Sequence, residues 1–357
     1  MRPPRSTTLT ALLALGLLTV GTPAAHAAPP PVRCGDTLTS DTRLTRTLRC
    51  TTSPGLTLAA GVSLDLGGHS LVGPGTGTGI VTDPQAPATL SNGVVRGWRE
   101  GVLREDEENA GTAVVVEDVV FRGNVFALLS SFGADVDVRR SRFVDNEHAI
   151  STFYASATIS DSTFLRNRFA ASSNRLITIA RSRFVDNEQT FTGSETRLRL
   201  TDSVVTGSRI VYDNYDGVGA FFEGNTFARN GIVIGSDFSL DADEILHNRF
   251  VDNDLAVSAT TPKHLVGNTF VGNRVAVASD PDQITPGVPF VAMEGNTFRR
   301  NGDAVYLTHP ASLKDTVAIG NTGYGIYAPL ATDLGGNVAY RNGTEPQCTG
   351  VVCETRS

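Results

Sequence analysis

Residues 141–150 read SRFVDNEHAI, residues 162–171 read STFLRNRFAA and residues 182–191 read SRFVDNEQTF. The three segments align without a gap on Phe-x-x-Asn, with a small residue three positions further on. Outward from them the Phe slot reads Phe121, Phe143, Phe164, Phe184, Val205, Phe227, Phe250, Phe270 and Phe298. The Asn slot reads Asn124, Asn146, Asn167, Asn187, Ser208, Asn230, Asn253, Asn273 and Asn301. Steps of 20 to 28 residues are too short for a propeller blade and suit one rung of a solenoid. The pattern predicts an all-β chain folded as a parallel β-helix.

The repeat runs on in both directions. LDLGGHSLVG (64–73) puts Leu71 in the Phe slot and SNGVVRGWREGV (91–102) puts Val95 there. IGNTGYGIY (319–327) and LGGNVAYRNG (334–343) continue it, with Asn337 and Asn342 where Asn296 and Asn301 stood. About twelve rungs are expected in one solenoid domain over 61–343, with caps at 28–60 and 344–357.

Arg2 and Arg5, an apolar run from Leu9 to Val20 and Ala25-His26-Ala27 have the form of a signal peptide over 1–27. Export is the expectation, and the run is too short to span a membrane. Without those residues the formal charge moves from -7 to 28 minus 37, or -9. An acidic chain is a poor partner for nucleic acid. The four cysteines fall into two local pairs, Cys34 with Cys50 and Cys348 with Cys353, expected to be disulfides that staple the two caps. A metal site would want a CxxC spacing or a nearby His, and neither is there.

Residues at one offset from the Phe slot should stack about 4.8 Å apart. The Phe column reads as a buried aromatic stack. The slots holding Asn124, Asn146, Asn167, Asn187, Asn230, Asn253, Asn273 and Asn301 read as a structural ladder at a turn, since Asn accepts left-handed backbone and its amides can bond up and down the stack. Charged columns alternate in sign, with Asp118, Arg140, Asp161, Arg181 and Asp202 in one and Asp145, Arg166 and Asp186 in another. Opposite charges in register fix which rung sits on which, and account for many acidic residues without catalysis.

LDLGGHSLVG and the GNTF, FVDN and FVGN copies resemble the right-handed parallel β-helices of the pectin-lyase-like superfamily, and most of all exported bacterial β-helix repeat proteins with a CGDTLT start and a late QCTGVVC. The resemblance spans residues 34–343 and implies a single-stranded right-handed helix with three short strands per rung. It is specific for fold and weak for activity. The Asn-Thr-Asp, Asp-Asp and Gly-His-Gly elements of polygalacturonases are missing, as is the Asp-Pro-His motif of mannuronan epimerases.

The densest titratable group is Lys263 one rung above Asp243, and His264 one rung above Glu244, with His247 close by. Lys263, His264, His247 and Glu244 are the catalytic candidates a lyase or epimerase would use, although ion pairing is the better reading. Inserts at 104–111, 212–217 and 279–289, and Asp237, all leave the rod along one edge and are acidic; solvated turns are slightly favoured there over a site. If a site exists, Tyr212, Asp213, Tyr215, Asp216, Asp280 and Asp282 are its candidates, with Ca²⁺ the cation their oxygens suit and a bridge to an acidic glycan. The leading expectation is a monomeric, non-enzymatic or weakly enzymatic secreted protein that contacts cell-wall or extracellular polysaccharide, Tyr212, Tyr215, Tyr306 and Tyr327 stacking on sugars. A polysaccharide lyase or uronan epimerase is the alternative. Copper handling in the manner of NosD is weaker still, because His148, His247, His264 and His309 show no paired ligand spacing.

Overall fold

In the computed structural model each rung is three short strands separated by two tight turns and one variable corner, as in Ala157–Ser160, Thr163–Leu165 and Phe169–Ser172. The structure describes residues 31–105, 112–215, 218–235, 241–279 and 290–354. Strands stack in parallel on their counterparts one rung away, giving an all-β solenoid of about 13 turns. The third sheet is the longest, with 15 strands from Asp36–Leu38 to Cys348–Thr349. The first and second sheets are joined near the N-terminal end by two nine-residue strands, Ala88–Arg96 and Val114–Arg122, which run through both.

The Phe slot is the axis of the core. Phe121, Phe143, Phe164 and Phe184 are fully buried, with ring centroids 5.0, 4.8 and 4.6 Å apart and nearly parallel planes. The stack resumes from Phe227 to Phe298. Val205 interrupts it, and larger side chains from the other sheets fill the gap: Phe191 packs edge-on against Phe184, while Phe222 bridges Tyr212 and Phe227. Such pairs add about 0.5 to 1.5 kcal/mol to the burial of their surface.

Beside this stack runs a buried amide ladder. The Nδ2 of Asn167 donates to the carbonyl of Phe143 at 3.0 Å and to Oδ1 of Asn187 at 3.0 Å. Its own Oδ1 accepts the backbone N–H and the Nδ2 of Asn146, both at 3.0 Å. The same bonds recur from Asn124 to Asn187 and from Asn230 to Asn342, so turn N–H groups that would be buried without partners are bound by the next rung's side chain. A second column two residues before the Phe slot does the same with Ser141, Ser162, Ser182 and Ser203, then Asn225, Asn248, Asn268 and Asn296.

The left-handed backbone expected on the ladder asparagines falls one residue earlier. Asp145, Arg166, Asp186, Arg229 and Asp252 have φ between 51° and 55°, and Gly123, Gly207 and Gly272 take the same slot in other rungs. The other charged column is equally left-handed, with Asp118, Arg140, Asp161, Arg181 and Asp202 between 46° and 55°, and Gly224 and Gly267 further on. Side chains at such positions are disfavoured by roughly 1 to 2 kcal/mol per residue. Within these two columns three rung-to-rung ion pairs offset part of that strain. Arg166 grips Asp145 through Nε and Nη2 at 2.8 and 3.1 Å, Arg140 holds Asp118 at 3.1 and 2.9 Å, and Arg181 holds Asp161 at 2.9 and 2.7 Å. The ladders are therefore dyads. Each arginine bonds the carboxylate of the preceding rung, and the following one is felt only across space. The Arg140 and Arg181 guanidinium groups hold the Asp118 and Asp161 carboxyls below the ordinary carboxylate range.

Both cysteine pairs are bonded, Cys34 to Cys50 and Cys348 to Cys353, with Cα atoms 5.5 and 6.2 Å apart. They lie within the end rungs. Asp36–Leu38 already pairs with Leu56–Leu58, and Cys348 is itself stacked on Ile326. Disulfides fit an oxidising compartment.

Asn167→Ala leaves the Asn146 N–H buried without a partner and removes one of the two acceptors of Asn146 Nδ2 and a donor to the Phe143 carbonyl, and should cost about 3 kcal/mol in denaturant unfolding. A cost under about 1 kcal/mol would show that the ladder carries little of the stability. Arg166→Asp should lower the thermal midpoint most at low salt, because Asp145 and Asp186 flank it, whereas Arg166→Gly relieves left-handed strain and should unfold above Arg166→Asp. Equal midpoints at all salt concentrations would contradict the dyad account.

Candidate functional site

Alternation along the first sheet decides what the titratable group can do. Asp243–Leu246 pairs with Lys263–Val266 in register, so Asp243 faces Lys263 and Glu244 faces His264. Successive side chains of a strand point to opposite faces. Lys263 and Asp243 accordingly point inward, their side chains fully buried and Nζ 2.8 Å from Oδ2. His264 and Glu244 point outward, half exposed, with Nδ1 3.3 Å from Oε1. His247 is exposed at a left-handed turn between the first and second sheets, with φ 55°. The sheet thus lies between Lys263 and the His264–Glu244 pair, and the four candidates do not meet in one site.

The acidic edge divides in a similar way. Asp213 and Tyr212 belong to the strand Ile210–Tyr215 of the third sheet rather than to a loop. Tyr212 is buried against Phe222, which removes it as a sugar platform. Asp213 is half-buried. The side chain of Tyr215, and all of Asp216, Asp237, Asp280 and Asp282, lie outside the described residues. Among the described residues no group of three or more His, Cys, Asp or Glu could hold a metal ion, and no helix is long and apolar enough to cross a membrane. His309 is buried, its ring nitrogens 2.5 and 3.1 Å from the carbonyls of Ala259 and Pro310.

The outer side of the third sheet is built differently from the other two. Its first outward column reads Phe126, His148, Phe169, Gln189, Ile210, Ile232, Leu255 and Val275, rung upon rung. Between Phe126 and Val275 it holds no carboxylate, arginine or lysine, but Glu100 precedes Phe126 and Asp303 follows Val275 in the same column, and the column just before it carries Glu147, Arg168, Glu188 and Arg209. A parallel sheet normally has both faces covered, and an uncovered apolar strip on one marks a contact surface. Phe126, His148 and Phe169 stack face to face at 4.5 and 4.7 Å, so they show solvent their edges.

Ring faces are available beside the strip, at the far ends of its first strands and on the rungs beyond Val275. Phe132, Phe153 and Tyr154 cluster at the variable corner, 44%, 48% and 45% exposed, with Phe153 at 90° to Phe132 and 66° to Tyr154. Phe132 and Tyr154 both have left-handed backbone, φ 56° and 53°. Phe132 N–H bonds the Phe153 carbonyl and Tyr154 N–H bonds Asn174 Oδ1, which hold the corner in that conformation. Bulky residues there are outliers, and such strain gathers at binding positions. At the C-terminal end Tyr306, Tyr324 and Tyr327 form a half-buried trio, with Tyr324 tilted 44° and 46° to the others.

Tyr306 and Tyr327, two of the tyrosines expected to stack on sugars, stack on each other in this trio. The outward strip sits five residues after the Phe slots from Phe121 to Phe270, but the same offset gives Glu100 and Asp303 at its ends, so the spacing alone does not mark it, and the strained corner breaks the repeat. No family model matches the sequence, and no curated protein is similar enough to it to count as a relative.

Burial holds the His148 imidazole below its ordinary value near 6.5, with Glu147 opposing and Arg168 adding to the shift. Below that ordinary value the unfolded chain binds the proton more readily than the fold does. Stability should therefore fall as pH drops from about 6.5 towards the folded value and level off below it. His148→Phe should continue the ring stack and remove this component; an unchanged pH profile in the variant would refute the assignment.

Proposed function

We propose that the protein is an exported β-helix that holds extracellular or cell-wall polysaccharide along the outer side of its third sheet, and that it belongs with the right-handed solenoids of the pectin-lyase-like type. The strip from Phe126 to Val275, uncharged between Glu100 and Asp303 and with ring faces beside it, is the observation that supports this reading. Sugar rings have one apolar face of C–H groups, which aromatic faces bind, and hydroxyl edges, which the backbone and the Ser151, Ser172 and Thr192 positions of the same sheet can meet. The overall charge of -7 favours a neutral polymer over a polyuronate, which would be repelled.

A lyase or epimerase draws less support. Such chemistry needs a base beside the substrate carbon, and Lys263 is enclosed within the solenoid, while His264 and Glu244 stand on a different sheet from the strip.

Retention on immobilised neutral and uronate polymers, measured with the wild type and two double variants, tests the proposal. Tyr324→Ala with Tyr327→Ala, and Phe153→Ala with Tyr154→Ala, should each weaken binding to the neutral polymer by roughly three- to tenfold per ring removed. Binding that neither double variant changes, or retention on no polymer at all, would overturn it.

A further inference from the structure

Inside the first sheet the column that passes through Ala220, Asp243, Lys263 and Val291 is apolar except at its two middle members. Elsewhere the fold keeps opposite charges on the outside, where water shares the work of solvating them. Asp243 and Lys263 are instead sealed in, both side chains at 0% exposure. A buried ion pair costs more in desolvation than a surface pair, and is often no better than an apolar pair of the same volume. Register alone does not explain it, because the outward dyads set register already.

We infer that Lys263 and Asp243 are the two halves of an intramolecular amide cross-link. The reacting atoms are held for it. Oδ1 of Asp243 accepts the Ala220 N–H at 2.7 Å, which fixes the carboxylate plane. Oδ2 lies 2.8 Å from Nζ, so the amine nitrogen sits one C–O bond further from Cγ. Thr261 Oγ1 is hydrogen-bonded to Nζ and holds the amine from its other side. In the reaction the Nζ–Cγ bond forms and the Cγ–Oδ2 bond breaks. Of the three protons on the ammonium, one stays on the amide nitrogen and two leave with Oδ2 as water, the Thr261 hydroxyl being placed to relay one of them. The charges cancel, no oxidant or reductant is needed, and the product replaces two buried charges by one neutral amide. Orientation of this kind raises effective concentration enough to drive reactions that are negligible between free groups. The bond would clasp neighbouring rungs at the corner that carries the inserts, as the disulfides do at the two ends.

Trypsin and mass spectrometry on the reduced full-length protein give the test. Cross-linking predicts one branched species in which peptide 230–249 is joined to 250–274, uncut at Lys263 and lighter by one water than its two parts. Amine acylation in denaturant should then modify Lys314 and leave Lys263 untouched. Asp243→Asn should form the same branched species by releasing ammonia, and Asp243→Ala should yield the free peptide 250–263. Recovery of unmodified 250–263 as the main product from wild type, with Lys263 acylated, would overturn the inference.

Discussion

A turn that repeats every 20-odd residues must solve one problem again and again: its N–H groups point inward, where there is no water. The asparagine ladder solves it. Each amide oxygen takes two donors from the rung before, and each amide nitrogen reaches a carbonyl of the rung before and the oxygen of the rung after. Because one side chain serves two rungs, a slip of register by one residue would leave several buried groups unpaired at once. The Phe stack and the alignment of the outer columns both follow from that fixed register.

The two columns of left-handed residues are the counterpart of the ladder. Closing a rung in so few residues forces positive φ at both tight turns, where glycine is the natural choice. This chain uses glycine in some rungs and a charged residue in others, and three of the rung-to-rung contacts are Asp–Arg dyads. The interchange of glycine with Asp or Arg in one slot was the sequence signal for left-handed backbone. The alternation of charge suggests continuous ladders; the Glu147–Arg168–Glu188–Arg209 column forms one, while the two left-handed columns pair off as dyads.

Much of the fold was legible because the repeat makes every offset a spatial column. Phe121 to Phe298, the amide ladder and the facing of Asp243 with Lys263 could be counted directly from the chain. What the count could not supply was which side of a strand each residue takes. Lys263 and His264 look like neighbours in a site, yet a strand sends them to opposite faces. Tyr212 looks like part of an exposed loop, yet it is buried edge-on against Phe222 in the core. The corner of Phe132, Phe153 and Tyr154 is legible only once the backbone is known, since its strain has no repeat to announce it.

The proposed contact surface is the outer side of the third sheet, whose column from Phe126 to Val275 lies between Glu100 and Asp303. Oxidative footprinting of aromatic and aliphatic side chains, with and without a neutral polysaccharide, tests that proposal most directly. Protection should fall on Phe132, Phe153, Tyr154, Ile232 and the Tyr306–Tyr324–Tyr327 trio, and leave the outward residues of the first two sheets unchanged. Protection confined to the first two sheets would contradict it.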